Sequence, residues 1–308
     1  MKKIGGLLAN EVSTMMNTRR LLVVLIASGI SACANNELDS SREETTATES
    51  QAITGGSEAG RGNWPSLVAI SNITFSHQPW GCTGTLIAPT WVLTAGHCVS
   101  DTSISPVIMP AASNFYVRVG RYNIVTDTGG DQIVAQSIVL PANYNTVNTT
   151  PDIALIQLSR PASVAYSRLA SPARMAEMPV GTLTTLLGWG ETIWNTPSSL
   201  SQTLQKVVLP IAWFNSSGGN YFAPGDQEVK YYNNPVDSKG AAGGDSGGPG
   251  LVKRDNEWFV MSIASHASPG VTTEALVPTY FDWVISQGAC PNPSFLPSAQ
   301  IMAISSVI

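Results

Sequence analysis

The segment GAAGGDSGGPG, residues 240–250, sets one serine, Ser246, among six glycines. A serine that cleaves an amide needs a base to take its hydroxyl proton, an acid to orient that base, and donors aimed at the developing oxyanion. The chain offers three histidines, His77, His97 and His266. His97 stands in LTAGHC, at the end of an apolar strand and beside Cys98, where a disulfide would fix its backbone. Asp152 stands in TPDIALIQL, at the mouth of an aliphatic run that draws it at least partly inward. Singly, each has an ordinary explanation: a structural histidine, an aspartate capping a turn, glycines in a tight turn. It is their combination that points to chemistry.

The elements that must position these residues are short β-branched runs separated by turn residues: TLIAP, WVLTAG, FYVRVG, QIVAQSIVL and IALIQL, then TLTTLLGWG, LQKVVLPIAW and WFVMSIAS. This spacing predicts an all-β sandwich or barrel in preference to a parallel βαβ sheet. A break near residues 167–181 divides the runs into two sets, read as two β-barrels over about 53–170 and 171–288. VPTYFDWVISQG has aromatic and aliphatic residues at helical spacing and a stop at Gly288, which predicts one terminal helix.

Composition agrees: 43% apolar residues can bury a core, while only 12% are charged and 27 glycines and 20 prolines imply many turns. A net charge of −5 with no basic run excludes a nucleic-acid partner. Arg19 and Arg20 precede LLVVLIASGISA, a run too short to span a membrane and suited to the core of an export signal, so residues 1–34 read as a leader. ISAC at 30–33 has the form of a bacterial lipobox, with Cys33 as the acylated residue and a lipid anchor as the membrane link. ACA at 32–34 equally offers ordinary signal cleavage before Asn35. Residues 35–52 carry five acids and one arginine, no aromatic and few aliphatics, and read as an acidic disordered pro-segment. Cys82 and Cys98, on adjacent strands, are the expected disulfide of an exported protein. Cys290 is then free, paired between chains, or bridged to Cys33.

ITGG at 53, CTGTLIAPTWVLTAGHC at 82–98, DIAL at 152, GWG at 188 and GDSGGP at 244 stand in the order and rough spacing of the trypsin-like serine proteases. From Ile53 to about Gly288 the chain resembles that family, which implies two six-stranded antiparallel barrels and a C-terminal helix. The resemblance implies Ser246 as nucleophile, His97 as general base and then acid, and Asp152 as the group orienting it. The N–H groups of Gly244 and Ser246 would form the oxyanion hole. It further implies a zymogen: cleavage between Ala52 and Ile53 frees an amine that pairs with buried Asp245 and orders the hole.

By the same resemblance the base of the specificity pocket is Gly240, followed by Ala241, Ala242 and Gly243, with no carboxylate to receive Lys or Arg; Asp237 is out of register. Small or apolar side chains are therefore expected before the scissile bond. SHASPG replaces the family's Ser-Trp-Gly wall: Ser265 matches the serine that contacts the catalytic aspartate, His266 takes the tryptophan position, and Ala267 to Gly270 form a short loop. His266 either attracts an acidic substrate side chain or stands idle on the rim. The family's calcium loop begins with an acid where this chain has Arg121, and there is no Cys/His cluster, so neither metal nor cofactor is expected. The activating cut would follow SQA, which points away from a trypsin-type activator and leaves self-cleavage or a separate protease. Protein or peptide substrates and a monomer are expected.

Two rival readings remain. An α/β-hydrolase would satisfy G-x-S-x-G, but it needs an acid and a histidine after the serine and a helix where GGPGLV stands. A silent member of the same fold, binding without cleaving, usually lacks a residue of the triad or the glycine of the hole.

Overall fold

The computed structural model describes residues 53–73, 80–100, 109–214, 222–223, 225–232 and 239–289. The leader with Cys33, the pro-segment, His77, Asp237, Cys290 and the tail lie outside the described residues.

The first set of strands is β2 (Leu67–Asn72), β3 (Cys82–Ala88), β4 (Trp91–Thr94), β5 (Phe115–Val119), β6 (Asp131–Val139) and β7 (Ala154–Leu158), after a short β1 (Ser57–Glu58). They close into an antiparallel barrel in the order β2-β3-β4-β7-β6-β5. β5 shows the period of two that closure demands: Phe115, Val117 and Val119 face in, while Tyr116 and Arg118 do not. Their partners inside are Val68, Ile70, Leu86, Val92, Ile133 and Ile156, one continuous apolar interior.

The second set is β8 (Arg168–Leu169), β9 (Leu183–Gly188), β10 (Gln205–Pro210), β11 (Trp213–Phe214), β12 (Glu228–Tyr232), β13 (Pro249–Arg254), β14 (Glu257–Ser268) and β15 (Val271–Leu276). With β1 it forms a nine-stranded sheet in the order β1-β10-β9-β13-β14-β15-β12-β11, to which β8 adds in parallel on β14. The expected all-β pair of strand sets is met, with the first a closed six-stranded barrel and the second, among the described residues, a sheet whose order runs from β1 to β11 without closing. Short strands enlarge the second sheet beyond six, and one pairing is parallel. Its interior holds Ile53, Met175, Met178, Leu186, Phe214, Val229, Val252, Phe259 and Met261.

A third apolar cluster lies between the two sets, joining Leu67, Trp91, Leu93 and Leu155 of the first to Leu187, Leu251, Val260 and Ile263 of the second. Burying that many large side chains, at roughly 1.5–3 kcal/mol each, makes the seam a core in its own right. Helix α2 (Phe281–Ser286) caps it with Phe281 and Val284. α2 begins as a 3-10 turn over Val277–Tyr280, because Pro278 is suited only to a helix start, and Gly288 ends it with φ 73°. A short α1 (Pro172–Met175) is capped by Ser171, whose Oγ accepts the N–H of Arg174. No helix of the described residues is long and apolar enough to cross a membrane.

Candidate active site

His97 follows β4 in a 3-10 turn, Gly96–Cys98. Cys98 is bonded to Cys82, the first residue of β3, so the turn is clamped to the hairpin that carries it. Asp152 precedes β7, and β4 pairs along its whole length with β7, Thr94 opposite Ala154, which delivers both residues to the same end of the barrel. Asp152 is only 5% exposed. Its Oδ1 accepts the backbone N–H of His97 at 2.9 Å and its Oδ2 meets His97 Nδ1 at 2.8 Å. Ser265, on β14, donates its Oγ–H to the same Oδ2 at 2.5 Å. Burial alone would raise the Asp152 carboxyl, but the hydrogen bonds and charge of His97, with the Ser265 hydroxyl, outweigh it and hold the group below its ordinary value. A carboxylate only accepts, so the Nδ1 facing it is the donor of this hydrogen bond.

Ser246 lies in the turn before β13. Its carbonyl accepts the N–H of Thr83 on β3 at 2.8 Å, and the Gly244 carbonyl accepts Thr83 Oγ1 at 3.0 Å, so the turn is stitched to the first barrel. Cys98 Sγ lies 3.5 Å from the Ser246 carbonyl oxygen and 3.9 Å from His97 Nε2. His97 and Ser246 line one cavity of about 290 Å³ with Ile70, Asn72 and the disulfide. Gly244 and Gly247 hold φ of 95° and 80°, and a Cβ on Gly247 would fall 2.1 Å from Thr94 Oγ1. Within the turn the N–H groups of Asp245, Gly247 and Gly248 are taken by carbonyls; those of Gly244 and Ser246 meet no acceptor among the described residues.

Asp245 points the other way, into the interior. Its oxygens accept the N–H of Gly190 at 2.8 Å and of Ala242 at 2.9 Å. A Cβ on Gly188 or Gly190 would stand 2.2 or 2.4 Å from this carboxyl, which explains the glycines of GWG. The tryptophan between them, Trp189, is fully buried and donates Nε1–H to the Tyr122 carbonyl. Burial raises the Asp245 carboxyl to about 7 against its two N–H donors, and the nearby Glu191 carboxylate adds to the rise. Ile53 is 1% exposed in the second core, and the Thr54 carbonyl accepts the N–H of Gly240.

A second pocket, of about 160 Å³, is lined by Ser246 with Ala241, Ala242, Gly243, Ser265, His266 and Ala267, and also by Ala264 and Trp194. Gly240 is not among the lining residues: a Cβ there would meet Thr272 Oγ1 at 2.4 Å, and that hydroxyl accepts the Ala241 N–H. Gly270 sits in the β14–β15 turn and does not line the pocket. Thr272, Ala264 and Trp194 carried no local signal in the sequence. The first two could have been found only from the register of β14 on β15, where Thr272 pairs with Ala267. Donor atoms of Cys82, His97 and Cys98 lie within 4.8 Å of one another, but both sulfurs are in the disulfide and cannot serve as thiolate ligands.

The family model for trypsin matches residues 53–284. The chain is 30% identical over 235 residues to chymotrypsin-like elastase family member 1 of Macaca fascicularis, covering 74% of this chain and 84% of that one. It is 29% identical over 247 residues to trypsin-2 of Salmo salar, covering 78% and 96%. Among solved structures, the Vibrio cholerae VesB protease matches with a TM-score of 0.59 and 27% identity, over 77% of this chain and 68% of that one. A buried aspartate on a histidine, a serine in a glycine turn and two β sets in this order thus coincide with a match to the greater part of the chain, which belongs to the trypsin family of serine proteases.

Proposed function

We propose that this chain is an exported serine endopeptidase, made as a zymogen and activated by cleavage between Ala52 and Ile53. In this reading residues 1–34 are a leader, 35–52 a pro-segment, 53–288 the protease domain and 289–308 a tail. The observation that carries the reading is the Asp152 carboxylate bonded to His97 Nδ1, with His97 and Ser246 on one cavity.

The Ser246 hydroxyl adds to the carbonyl carbon of a peptide bond as His97 Nε2 takes its proton, and Asp152 stabilises the imidazolium. The N–H groups of Gly244 and Ser246, which have no competing acceptor in the turn, receive the oxyanion. One such donor is worth ~10²–10³ in turnover. His97 then returns the proton to the leaving amine, and water, activated by the same nitrogen, releases the acyl group. The alanine-rich pocket, with no carboxylate lining it among the described residues, supports a preference for small or apolar side chains before the scissile bond.

Asp245 supports the zymogen half of the proposal. In the uncut chain it is a buried acid pushed to about 7. An ammonium at Ile53 would supply the missing cation, and the Thr54–Gly240 hydrogen bond links that segment to the pocket. Leaving such a charge unpaired costs about 3–5 kcal/mol, enough to act as a switch of 100-fold or more. The test replaces residues 48–52 with the recognition sequence of a specific protease, so that the cut exposes Ile53. Peptide hydrolysis should rise at least ~100-fold on cutting, and an Asp245→Asn chain should stay inactive though cut. An uncut chain as active as the cut one would overturn the zymogen reading.

A further inference from the structure

The pocket beside Ser246 has unequal walls. Ala241, Ala242, Ala264 and Ala267 leave it open, and among the described residues its one large apolar side chain is Trp194. That residue belongs neither to the turn before β13 nor to β14, which supply the other lining residues; it comes from the loop between β9 and β10.

The loop is built to hold it. Glu191 and Leu200 form an antiparallel bridge at its base, and the Thr192 N–H donates to the Ser199 carbonyl at 3.0 Å. Ser199 Oγ accepts the Ile193 N–H at 3.0 Å and donates to the Thr196 carbonyl at 2.7 Å. Asn195, directly after the tryptophan, turns the chain with φ 54°. Glu191 then ties the loop to the pocket edge. Its N–H donates to the Gly243 carbonyl at 2.8 Å, and its Oε2 accepts the Thr196 N–H at 3.1 Å. Its Oε1 lies 2.9 Å from where a Gly243 side chain would begin, so glycine at 243 is what lets this carboxylate approach.

From this we infer that Trp194 is a specificity-determining residue: its indole is the apolar wall against which a compact aliphatic substrate side chain packs. The inference rests on the proteolytic reading of the same site. An indole offers a large rigid surface at little entropic cost, and removing it takes away contact made equally in bound substrate and transition state. The loss therefore belongs in KM, with kcat little changed.

The experiment compares the cut protein with its Trp194→Ala and Trp194→Phe variants on succinyl-Ala-Ala-Pro-Xaa p-nitroanilides, with Xaa as Ala, Val, Leu or Lys. Trp194→Ala should raise KM for the aliphatic substrates roughly tenfold or more and flatten the ranking among the four, and Trp194→Phe should restore most of the loss. Unchanged KM and ranking in Trp194→Ala would overturn the inference. Labelling by a fluorophosphonate separates the two claims: a parent that labels, with an unaltered ranking in the variant, sinks only the role of Trp194. If the parent does not label, proteolysis fails, and binding decides the role of Trp194. Acetyl-Ala-Ala-Pro-Val should then change the tryptophan fluorescence of a Ser246→Ala protein, and the change should vanish with Trp194→Phe. A change that persists there, or none at all, would overturn it.

Discussion

Asp152 and Glu274 are both buried carboxyls, and their surroundings push them in opposite directions. Asp152 has a histidine and a hydroxyl on it and is held low. Glu274, on β15, is 0% exposed; its Oε2 accepts the Ser262 hydroxyl at 2.5 Å and its Oε1 has no partner among the described residues. Burial pushes it to about 8 in spite of that bond, and the Asp245 carboxyl adds to the rise. Tyr231, which shares Ser262 Oγ at 3.1 Å, is raised too, first by burial and then by Glu274. A group raised in the folded state binds its proton more tightly there than in the unfolded chain. Glu274 therefore contributes a stability that falls as pH rises from about 4.3, the unfolded value, towards 8. Glu274→Gln keeps the polar contact and removes the titration. In uncut Ser246→Ala protein it should flatten the decline of melting temperature between about pH 5 and 8 and raise it by several degrees above that range. Superimposable curves would contradict this assignment. Ser246, His97 and Asp152 were legible as candidates because each sits in a short motif with its own turn or strand. Glu274 and Trp194 were not, because a buried acid in VTTEAL and an indole in a polar loop get their meaning only from residues far along the chain.

The strands found in the sequence are those with several aliphatic or β-branched residues between turn residues, such as IALIQL for β7 and WFVMSIAS within β14, although β2, LVAISN, was missed in spite of its apolar run. β12, EVKYY, and β15, VTTEAL, were missed. Each places charged or hydroxyl residues inside the sheet, where neighbouring strands supply partners that no local pattern reveals. β13 was missed because it opens on Pro249 and Gly250, which read as turn, and that glycine leaves room for Ser262 and Glu274. The β3–β4 hairpin was legible through its cysteines. Its bridge joins residues 16 apart and anchors the turn that carries His97. The double variant Cys82→Ser with Cys98→Ser should lose about 3 kcal/mol of unfolding free energy in a urea titration. An unchanged midpoint would mean that β-sheet pairing alone holds the turn.

The site exists only where the two strand sets meet. The first supplies His97 and Asp152; the second supplies Ser246, the glycine turn and Ser265, which reaches Asp152 across 113 residues of sequence. Thr83, bonded to Gly244, and Trp189, bonded to Tyr122, stitch the halves together. The order of motifs along the chain made the fold class legible, since few architectures use that order. The nine-stranded second sheet and the pocket wall were not legible, because both depend on which distant strands become neighbours. The proposed function requires this junction to activate one serine. Intact-mass analysis after fluorophosphonate treatment tests it most directly, on protein whose N-terminus is verified as Ile53 and beside a Ser246→Ala control. One adduct per chain, absent from the control, is the expected result; no adduct on the verified mature form would contradict the account and leave a protease fold that binds without cleaving.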